Sequence, residues 1–497
     1  MKRACGILLP VSSLSGNYGI GGFSKEAYEF VDKLKRAGQS YWQILPLSPT
    51  GYGDSPYQSG SAFAGNMNYI ALDELAEAGF FEKEELEEID WGKDSARVDY
   101  EKVWNSREKL LKKAFLKRRD CEYEVETQNL LEETKRYCLY QAIKAENKGL
   151  PWYEWEEGLK LAKKEAINKA KKRLADEIEF YEWIQAVFEK QWKALKKYAN
   201  EVGIEIIGDM PIYVSIDSAD AWSHPKLFLF NEYKAPELVA GCPPDYFSPE
   251  GQLWGNPLYD WKKHKKTDFA WWKNRLEYVL KLYNYVRVDH FRGFDEFYAI
   301  PAQNTNALEG EWLKGPGIEI FNSLSRHFAK QYKAGLPIIA EDLGLMTDSV
   351  IKLVKDTGFP AMRVLEFAYD SDADNMYLPH NYIRNCVAYT GTHDNSPIQA
   401  WAESLDENRR LFMVRYQGSE HTPVKDLHWD CVRTVLASIA DTVIIPMQDY
   451  LGLGESSRIN SPGVATGNWQ WRLSGDEIDE NLIWHCDMLA GIYSRKP

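Results

Sequence analysis

The sequence predicts an α/β protein, a (β/α)8 barrel with helical and loop insertions, and two patterns lead to this prediction. Eight short segments are apolar, rich in β-branched or aromatic residues, and end in Pro, Gly, Asp, Glu or His. Most stretches between them carry apolar residues at a helical period. Continuous apolar strands that alternate with helices are typical of a parallel sheet covered on both faces. Eight such units indicate a closed barrel, with a doubly wound open sheet as the alternative.

The predicted strands are spread over the whole chain, which we expect to form one domain over residues 1–497. Their ranges are 5–11, 41–49, 204–214, 284–291, 336–343, 361–367, 386–394 and 442–449. Helical patterns such as 24–37, 348–356 and 408–415 lie between them. In barrels of this kind, the residues that bind and react lie at the C-terminal ends of the strands.

Two intervals between strands are too long for a simple helical connection, and we expect an insertion in each. Residues 50–203, between the second and third strands, are largely helical in pattern, and their alternating Lys and Glu suit a solvated face. One face of this region is predicted to carry Ile178, Tyr181, Phe188, Trp192 and Leu195. Residues 215–270, between the third and fourth strands, contain GCPPDYFSPEGQLWGNPLYD, which is too aromatic for a linker and suits a lid or binding wall.

Composition narrows the classes of partner. The formal charge of −14 argues against nucleic acid, because binding a phosphate backbone needs clustered Lys and Arg. Aromatic residues make up 13% of the chain, which suits a large core and also a sugar site. The seven cysteines are scattered without metal-ligand spacing, as expected for reduced thiols in the cytoplasm. No apolar run is long enough to cross a membrane, so no membrane partner is expected, and the oligomeric state is left open.

Four of the predicted strand ends carry carboxylates. Asp209 lies in GDMP, Asp289 in RVDH, Glu341 in AEDLG and Asp394 in GTHD. If the barrel brings them together, their charges repel and raise at least one pKa, which gives an acid able to protonate a leaving group near neutral pH. An ordinary strand-end cap or an ion pair is the simpler alternative for Asp209, Asp342 and Asp449.

Such a set can cleave an acetal linkage with retention, which needs an ionised nucleophile and a protonated acid roughly 5 Å apart. Asp289 fits the nucleophile, because Arg287 and Arg292 would keep it charged. Glu341 fits the acid and base, because it follows the apolar run LPIIA, where loss of water would raise its pKa. The GTHD segment suits contacts to sugar hydroxyls. Metal binding is the rival use, but the residues lie on separate strands without ligand spacing, so we expect no metal.

The ordered motifs of the chain resemble those of one known family. They are SSLSGNYGIGGF, LPLSPTGYGDSPYQSGSAFAGN, PPDYFSPEGQLWGNPLY, GDMPIYV, RVDHFRGF, AEDLG, GTHD and RINSPGVATGNWQWR. The four strand ends look like the signature regions of the α-amylase superfamily. The full set, from about residue 11 to 472, is similar to the 4-α-glucanotransferases, known as amylomaltases in bacteria and disproportionating enzymes in plants.

The resemblance implies roles for individual residues. Asp289 would be the nucleophile, Glu341 the acid and base, and Asp394 the stabiliser of the transition state. Substrate-binding positions would be Tyr57, beneath the reacting glucose; Arg287, His393, Asp209 and His290 around the reacting carbon; Tyr246, Phe247 and Trp254 on the acceptor side; Asp370 and Asn460; and Tyr52 in a second glucan-binding groove. Trp469 and Trp471, in NWQWR, are expected instead to pack the last helix against the barrel.

The implied reaction moves an α-1,4-glucan segment from a maltooligosaccharide donor to glucose or another glucan, without cofactor or metal. The alternatives are an α-glucan hydrolase, with water as the acceptor, and a non-catalytic glucan-binding protein. The role of the Lys- and Glu-rich insertion is left open.

Overall fold

Eight parallel strands form a barrel in this protein. The structure, a computed structural model, describes residues 1–244, 248–344 and 346–497. The barrel strands, hydrogen-bonded in the order β10-β11-β12-β1-β2-β3-β6-β9, are β1 (Ala4–Leu8), β2 (Tyr41–Gln43), β3 (Glu205–Met210), β6 (Tyr285–Val288), β9 (Ile338–Ala340), β10 (Ala361–Val364), β11 (Cys386–Tyr389) and β12 (Thr442–Pro446). The Ala340 N–H on β9 donates to the Pro360 carbonyl at 2.9 Å, next to β10, so the two ends of the sheet meet. The predicted (β/α)8 barrel is confirmed.

A second sheet of four antiparallel strands lies outside the barrel. It consists of β4 (Leu238–Cys242), β5 (Gln252–Pro257), β7 (Glu296–Pro301) and β8 (Glu311–Lys314), in the order β5-β4-β7-β8. The first two strands belong to the segment between β3 and β6, and the other two follow β6. The sequence pattern did not indicate these strands, because short strands with Gly and Pro resemble loops.

Eighteen α-helices lie within the described residues. They are α1 (Lys25–Arg36), α2 (Leu72–Glu77), α3 (Lys83–Glu87), α4 (Tyr100–Lys117), α5 (Glu132–Glu146), α6 (Glu157–Lys160), α7 (Lys164–Arg173), α8 (Ala175–Glu201), α9 (Ala219–Ser223), α10 (Trp261–Lys266), α11 (Ala270–Leu282), α12 (Ile318–Phe328), α13 (Asp348–Thr357), α14 (Ile398–Ser404), α15 (Glu407–Gln417), α16 (Leu427–Ala437), α17 (Met447–Tyr450) and α18 (Glu480–Ile492). No described helix is both long and apolar enough to cross a membrane.

Local signals set where several helices begin and end. The hydroxyl of Thr347 accepts from the Val350 N–H at the start of α13, which ends at Gly358 in the left-handed region, with φ 70°. Asp479 caps α18 by accepting from the Leu482 N–H at 2.8 Å. These caps satisfy backbone groups that the helices themselves leave unpaired.

Helix α8 packs part of the helical segment between β2 and β3 against the barrel. Phe188, Trp192 and Leu195 are buried on its inner face, as the apolar spacing predicts. Two buried amides on the same helix hold the chain that follows β2: Gln185 exchanges hydrogen bonds of 2.8 and 2.9 Å with the backbone of Gly65. Gln191 bonds both backbone groups of Ala71. Helix α8 therefore fixes the backbone at Gly65 and Ala71, in the chain that follows β2.

Close packing behind the third strand requires glycine at position 208. A Cβ atom there would lie 2.1 Å from the ring of Tyr283. That ring is buried, and its hydroxyl accepts from the Leu47 N–H at 3.2 Å. A side chain at position 208 would push Tyr283 away and disturb the neighbouring residue, Asp209.

The chain beyond α18 is fastened to the N-terminal end of the barrel by a fully buried arginine. Arg495 donates to the carbonyls of Leu436 at 2.7 Å, Ser438 at 2.9 Å and Ala440 at 3.1 Å. A guanidinium has enough donors to satisfy several carbonyls at once, which no apolar side chain can do.

We expect Arg495→Met to lower the free energy of unfolding by about 3 kcal/mol, because it leaves several buried carbonyls unpaired. Arg3→Met is the matched control, since exposed Arg3 donates to Ser438 and Tyr493 carbonyls from the surface. Thermal and urea unfolding of the two variants measures the difference. Equal losses of stability would contradict the special role of the buried guanidinium.

Candidate active site

Arg287 joins two carboxylates at the C-terminal end of the barrel. Strands β3 and β6 pair with Asp209 opposite Arg287. Arg287 Nη1 lies 2.6 Å from Asp209 Oδ2, and Nη2 lies 3.0 Å from Asp289 Oδ1. The Asp209 side chain has no exposed surface, whereas Asp289 keeps 27% of its side chain exposed. The guanidinium therefore holds Asp289 at Oδ1, and part of the Asp289 side chain remains exposed.

Glu341 approaches the same place from the end of β9. Its Oε2 accepts from the backbone N–H of His290 at 2.7 Å, and its Oε1 accepts from the N–H of Leu343 at 2.9 Å. His290 has φ 51°, in the left-handed region, at the turn just after Asp289. The carboxylate of Glu341 is thus fixed on the residue next to Asp289.

The carboxylates at these strand ends influence one another's pKa values. Burial raises the pKa of Asp289, as do the charges of Asp209, Glu341 and Asp394, while Arg287 opposes the rise. Burial also raises the pKa of Glu341, opposed by Arg287 and by the two backbone N–H groups. The expectation that Arg287 and Arg292 keep Asp289 charged is therefore incomplete, because it leaves out burial and the neighbouring carboxylates. Both carboxyls have raised pKa values, because the neighbouring carboxylates and the loss of water outweigh one cation.

Tyr57 and His393 form one wall of the site. The Tyr57 hydroxyl donates to Asp209 Oδ2 at 2.7 Å and lies 2.9 Å from His393 Nε2. Their rings stack with centroids 5.3 Å apart. Trp469 packs on both, at 5.7 Å from Tyr57 and 6.1 Å from His393. Trp469 therefore backs the wall of the site, and its packing of the last helix against the barrel stays a prediction.

Asp394 lies on the open side of this wall, with 39% of its side chain exposed. Its Oδ1 accepts from Asn460 Nδ2 at 2.6 Å, and its Oδ2 is 3.4 Å from His393 Nε2. Arg458 donates to the Asp394 carbonyl at 2.8 Å and to the Asn460 carbonyl at 2.8 Å. The segment carrying Asn460 thus holds Asp394 in place.

Trp254, on β5, meets the site through His290. The two rings are nearly perpendicular, with centroids 4.8 Å apart. Burial lowers the pKa of His290 to about 3, so its ring is neutral at neutral pH. Gln58, next to Tyr57, donates to the Trp254 carbonyl at 3.3 Å. Arg292 stacks on Trp312 of β8 at 3.9 Å.

Four other predicted substrate-binding residues, Asp370, Tyr52, Tyr246 and Phe247, have no described contact with these site residues. The described contacts of Asp370 are local, to Ser371 at 3.1 Å and Asn375 at 3.0 Å. Tyr52 begins a short 3-10 helix, Tyr52–Asp54, and of this residue only the backbone is described. Tyr246 and Phe247 lie outside the described residues.

Two neighbouring carboxylates have structural partners, as their simpler interpretation predicts. Asp342 forms a buried ion pair with Arg363 at 3.2 Å and accepts from the Met362 N–H at 2.7 Å. Asp449 accepts from the Ile398 N–H at 2.7 Å, at the start of α14. Among the residues that the structure describes, no three His, Cys, Asp or Glu side chains form a group that could hold a metal ion.

Known proteins are similar in sequence to this chain over nearly its whole length. Residues 9–478 match the sequence profile of the 4-alpha-glucanotransferase family. A 4-alpha-glucanotransferase from Clostridium butyricum is 43% identical over 492 residues, which is 98% of this chain and 99% of the relative. The chain belongs to the 4-alpha-glucanotransferase family.

Structures agree with this assignment. The structure superposes on that of an amylomaltase from Streptococcus agalactiae, which was solved in complex with acarbose. The TM-score is 0.94, the sequence identity is 39%, and the superposition covers 100% of both chains. An amylomaltase from Corynebacterium glutamicum has the same fold at 17% identity, with a TM-score of 0.78 over 75% of its chain. A 4-alpha-glucanotransferase from Thermus thermophilus is 42% identical over 96% of both chains. The predicted family and enzyme class are confirmed.

Two residues that hold the site in place, Arg458 and Gln58, were not predicted from the sequence. Arg458 was not singled out, although its side chain fixes the backbone at Asp394. Gln58 was passed over beside Tyr57, although it bonds Trp254 from another segment of the chain. Both lie inside motifs that carry the resemblance, RINSPGV and DSPYQS, and that position was the available signal.

We expect Arg287→Met to move the acidic limb of the profile of kcat/KM against pH to higher pH, by about 1 to 3 on the pH scale. Without the guanidinium the pKa of Asp289 rises further, so the ionised form is reached only at higher pH. Arg363→Met is the matched control, because it breaks a buried ion pair with Asp342 without touching Asp289. An acidic limb that stays in place in Arg287→Met would contradict this electrostatic role.

Proposed function

We propose that this protein transfers α-1,4-glucan segments between maltooligosaccharides, or to glucose, with retention, through a covalent glycosyl-enzyme on Asp289. The observation that carries the proposal is the pairing of Asp289 with Glu341. One carboxylate bonds Arg287, and the other bonds the backbone N–H of His290, the residue after Asp289. Retaining transfer needs two close carboxyl groups, one as nucleophile and one as acid.

In the first half-reaction, the Glu341 proton passes to the glycosidic oxygen and the bond from that oxygen to the anomeric carbon breaks. A carboxylate oxygen of Asp289 forms a bond to the same carbon. The leaving-group oxygen next to Glu341 accepts a proton, and the positive charge that develops at the anomeric carbon favours ionised Asp289. Bound donor therefore favours the state in which Glu341 is protonated and Asp289 is ionised, although both carboxyls have raised pKa values in the free protein.

In the second half-reaction, the 4-hydroxyl of glucose or of another glucan attacks the anomeric carbon. Glu341, now ionised, takes the hydroxyl proton, and the ester bond to Asp289 breaks. Asp394 would stabilise the oxocarbenium-like transition state in both steps, because part of its carboxylate is exposed next to His393 and can meet the developing positive charge. Tyr57 and His393 would contact the donor glucose, and Trp254 with His290 would form part of the acceptor side.

Among the other predicted substrate-binding residues, two would act by holding a neighbouring side chain, and four are proposed from the sequence resemblance. Asp209 is enclosed and bonded to Tyr57 and Arg287, so we propose that it acts chiefly by holding those two side chains. Asn460 would act through Asp394. For Asp370, Tyr52, Tyr246 and Phe247, the proposal rests on the sequence resemblance.

The proposal extends to the partners of the protein and to its location in the cell. The partners would be an α-1,4-glucan donor and a glucose or glucan acceptor, which fits the amylomaltase relative whose structure contains acarbose. A cytoplasmic location is supported by the buried thiols: burial raises the pKa of Cys5, Cys386 and Cys431 to about 12 and also raises the pKa of Cys486. Such thiols are typical of a reducing compartment.

Incubation of the pure protein with maltotriose tests the proposed reaction. Transfer yields glucose and longer chains while the number of reducing ends stays nearly constant. A steady rise in reducing ends would instead identify an α-glucan hydrolase. Maltotriose that stays unchanged, but binds, would identify a glucan-binding protein.

A further inference from the structure

A buried carboxyl that the proposed reaction does not use lies behind the turn that carries Asp394. Glu366 follows β10, is 8% exposed, and its N–H donates to the Thr390 carbonyl at 3.2 Å. Its Oε1 would lie 2.6 Å from a Cβ atom placed on Gly391. The glycine therefore lets the turn sit directly on the Glu366 carboxyl.

The side chain of Asn395 connects Glu366 to this turn, and its amide can face only one way. Asn395 Oδ1 accepts from the Thr392 N–H at 2.9 Å and from the Thr392 hydroxyl at 2.7 Å. Because a backbone N–H can only donate, the carbonyl end of the amide must face Thr392. The NH₂ end then points at Glu366, and Nδ2 lies 3.1 Å from Oε2.

From Thr392 the chain of hydrogen bonds reaches Asp394. The Thr392 hydroxyl donates to Asn395 and accepts from the Asp394 N–H at 3.2 Å. Asn460 and Arg458 bond the carboxylate and the carbonyl of Asp394. Asp394 is thus held by two sets of hydrogen bonds, and Glu366 ends the set that runs through Thr392 and Asn395.

We propose that Glu366 is a positioning residue, which sets the place of the Asp394 carboxylate by accepting a hydrogen bond from Asn395. The inference rests on the proposed role of Asp394 in the transition state. What position 366 must supply is an acceptor for a buried NH₂ group, since an unpaired buried donor is costly. A negative charge is not needed there: burial and nearby Asp449 raise the pKa of Glu366, and a neutral carboxyl still offers its carbonyl oxygen.

The test compares two replacements of similar length. Glu366→Gln keeps an acceptor oxygen, and Glu366→Met does not. With maltotriose, we expect Glu366→Met to lower kcat by about 10- to 100-fold. The displaced Asp394 carboxylate would stabilise the transition state less, even though the substitution itself is far from the reacting atoms. KM should change by less than about three-fold, as for an interaction made mainly in the transition state. Glu366→Gln should lose less than about three-fold in kcat.

Two controls separate positioning from loss of stability. Gln191→Met removes a buried hydrogen-bonding side chain remote from the site, and should lower the melting temperature without lowering kcat. Asn395→Ala should lower kcat about as much as Glu366→Met, and the double variant should be no worse than Asn395→Ala alone. Residues that act through one another are non-additive in this way.

Three results would overturn the inference: wild-type kcat in Glu366→Met, equal loss in Glu366→Gln and Glu366→Met, or multiplied losses in the double variant. The inference would also be overturned if Gln191→Met lost as much kcat as Glu366→Met, since kcat would then follow only the loss of melting temperature. Failure of the proposed function would be seen separately, as undiminished turnover of maltotriose by Glu341→Gln.

Discussion

Replacing Asp289 by Asn is expected to lower kcat with maltotriose by at least about 10⁴-fold, because loss of a nucleophile removes the covalent route altogether. Asparagine keeps the size of the side chain and can still meet Arg287, so the fold should be retained. Melting curves check the fold, and steady-state kinetics with maltotriose measure the loss. Activity within ten-fold of the wild type would show that Asp289 is not the nucleophile.

A smaller side chain at position 289 makes a sharper test. Asp289→Gly leaves space beside Arg287 that azide can enter. With an α-maltosyl fluoride donor, azide should form a bond to the anomeric carbon as fluoride leaves, on the face that Asp289 occupies. The expected product is a β-maltosyl azide. An α-azide, or no azide product beside an intact fold, would contradict the assigned position of the nucleophile.

Replacing Glu341 by Gln is expected to lower kcat with maltotriose by about 10³-fold, within the range of general acid and base catalysis. The first half-reaction with α-maltosyl fluoride should be spared, because fluoride leaves without a proton. The second half-reaction should stay slow, because no base takes the proton from the acceptor hydroxyl. The glycosyl-enzyme should therefore accumulate, and intact-protein mass spectrometry should detect it.

Azide distinguishes the two carboxyls in this second variant. It needs no base, so it should restore turnover of α-maltosyl fluoride by Glu341→Gln. It would attack the glycosyl-enzyme opposite Asp289 and give an α-maltosyl azide. The two variants should thus make opposite anomers from the same donor and nucleophile. The same anomer from both would contradict the division of roles between Asp289 and Glu341.

The two half-reactions use different parts of the same framework. Asp289 depends on Arg287, which in turn bonds the enclosed Asp209. Glu341 depends on two backbone N–H groups, one of them turned toward it by the left-handed conformation of His290. The nucleophile is therefore held by a side-chain ion pair, and the acid by backbone geometry. Changes at Arg287 should alter the acidic limb of the pH profile more than the accumulation of glycosyl-enzyme in Glu341→Gln.

The barrel and the carboxylate positions could be predicted from the sequence for a direct physical reason. A strand buried on both faces has to be apolar throughout, so Asp289 or Glu341 at its end stands out against the run before it. The closed order of such strands then brings their ends together. In the same way, the apolar face of α8 could be predicted from spacing, because a helix repeats every 3.6 residues.

Other features depend on contacts between distant parts of the chain. The antiparallel sheet of β4, β5, β7 and β8 pairs segments separated by a barrel strand, and its short strands have no strong pattern of their own. Trp469 backs the site because the chain near residue 460 folds onto Tyr57 and His393. Periodicity cannot report such contacts, since they join residues that are far apart in the sequence.

The sequence by itself determined the fold class, the family and the acidic residues at the strand ends, because burial and chain order leave a local trace. Only the tertiary structure decided how those acids are held and charged. The pKa of Asp289 depends on Arg287 together with three other carboxylates, and the place of Asp394 depends on Asn460 from one side and Asn395 from the other. The charge and the position of a side chain depend on all the residues around it in space, and only folding brings those residues together.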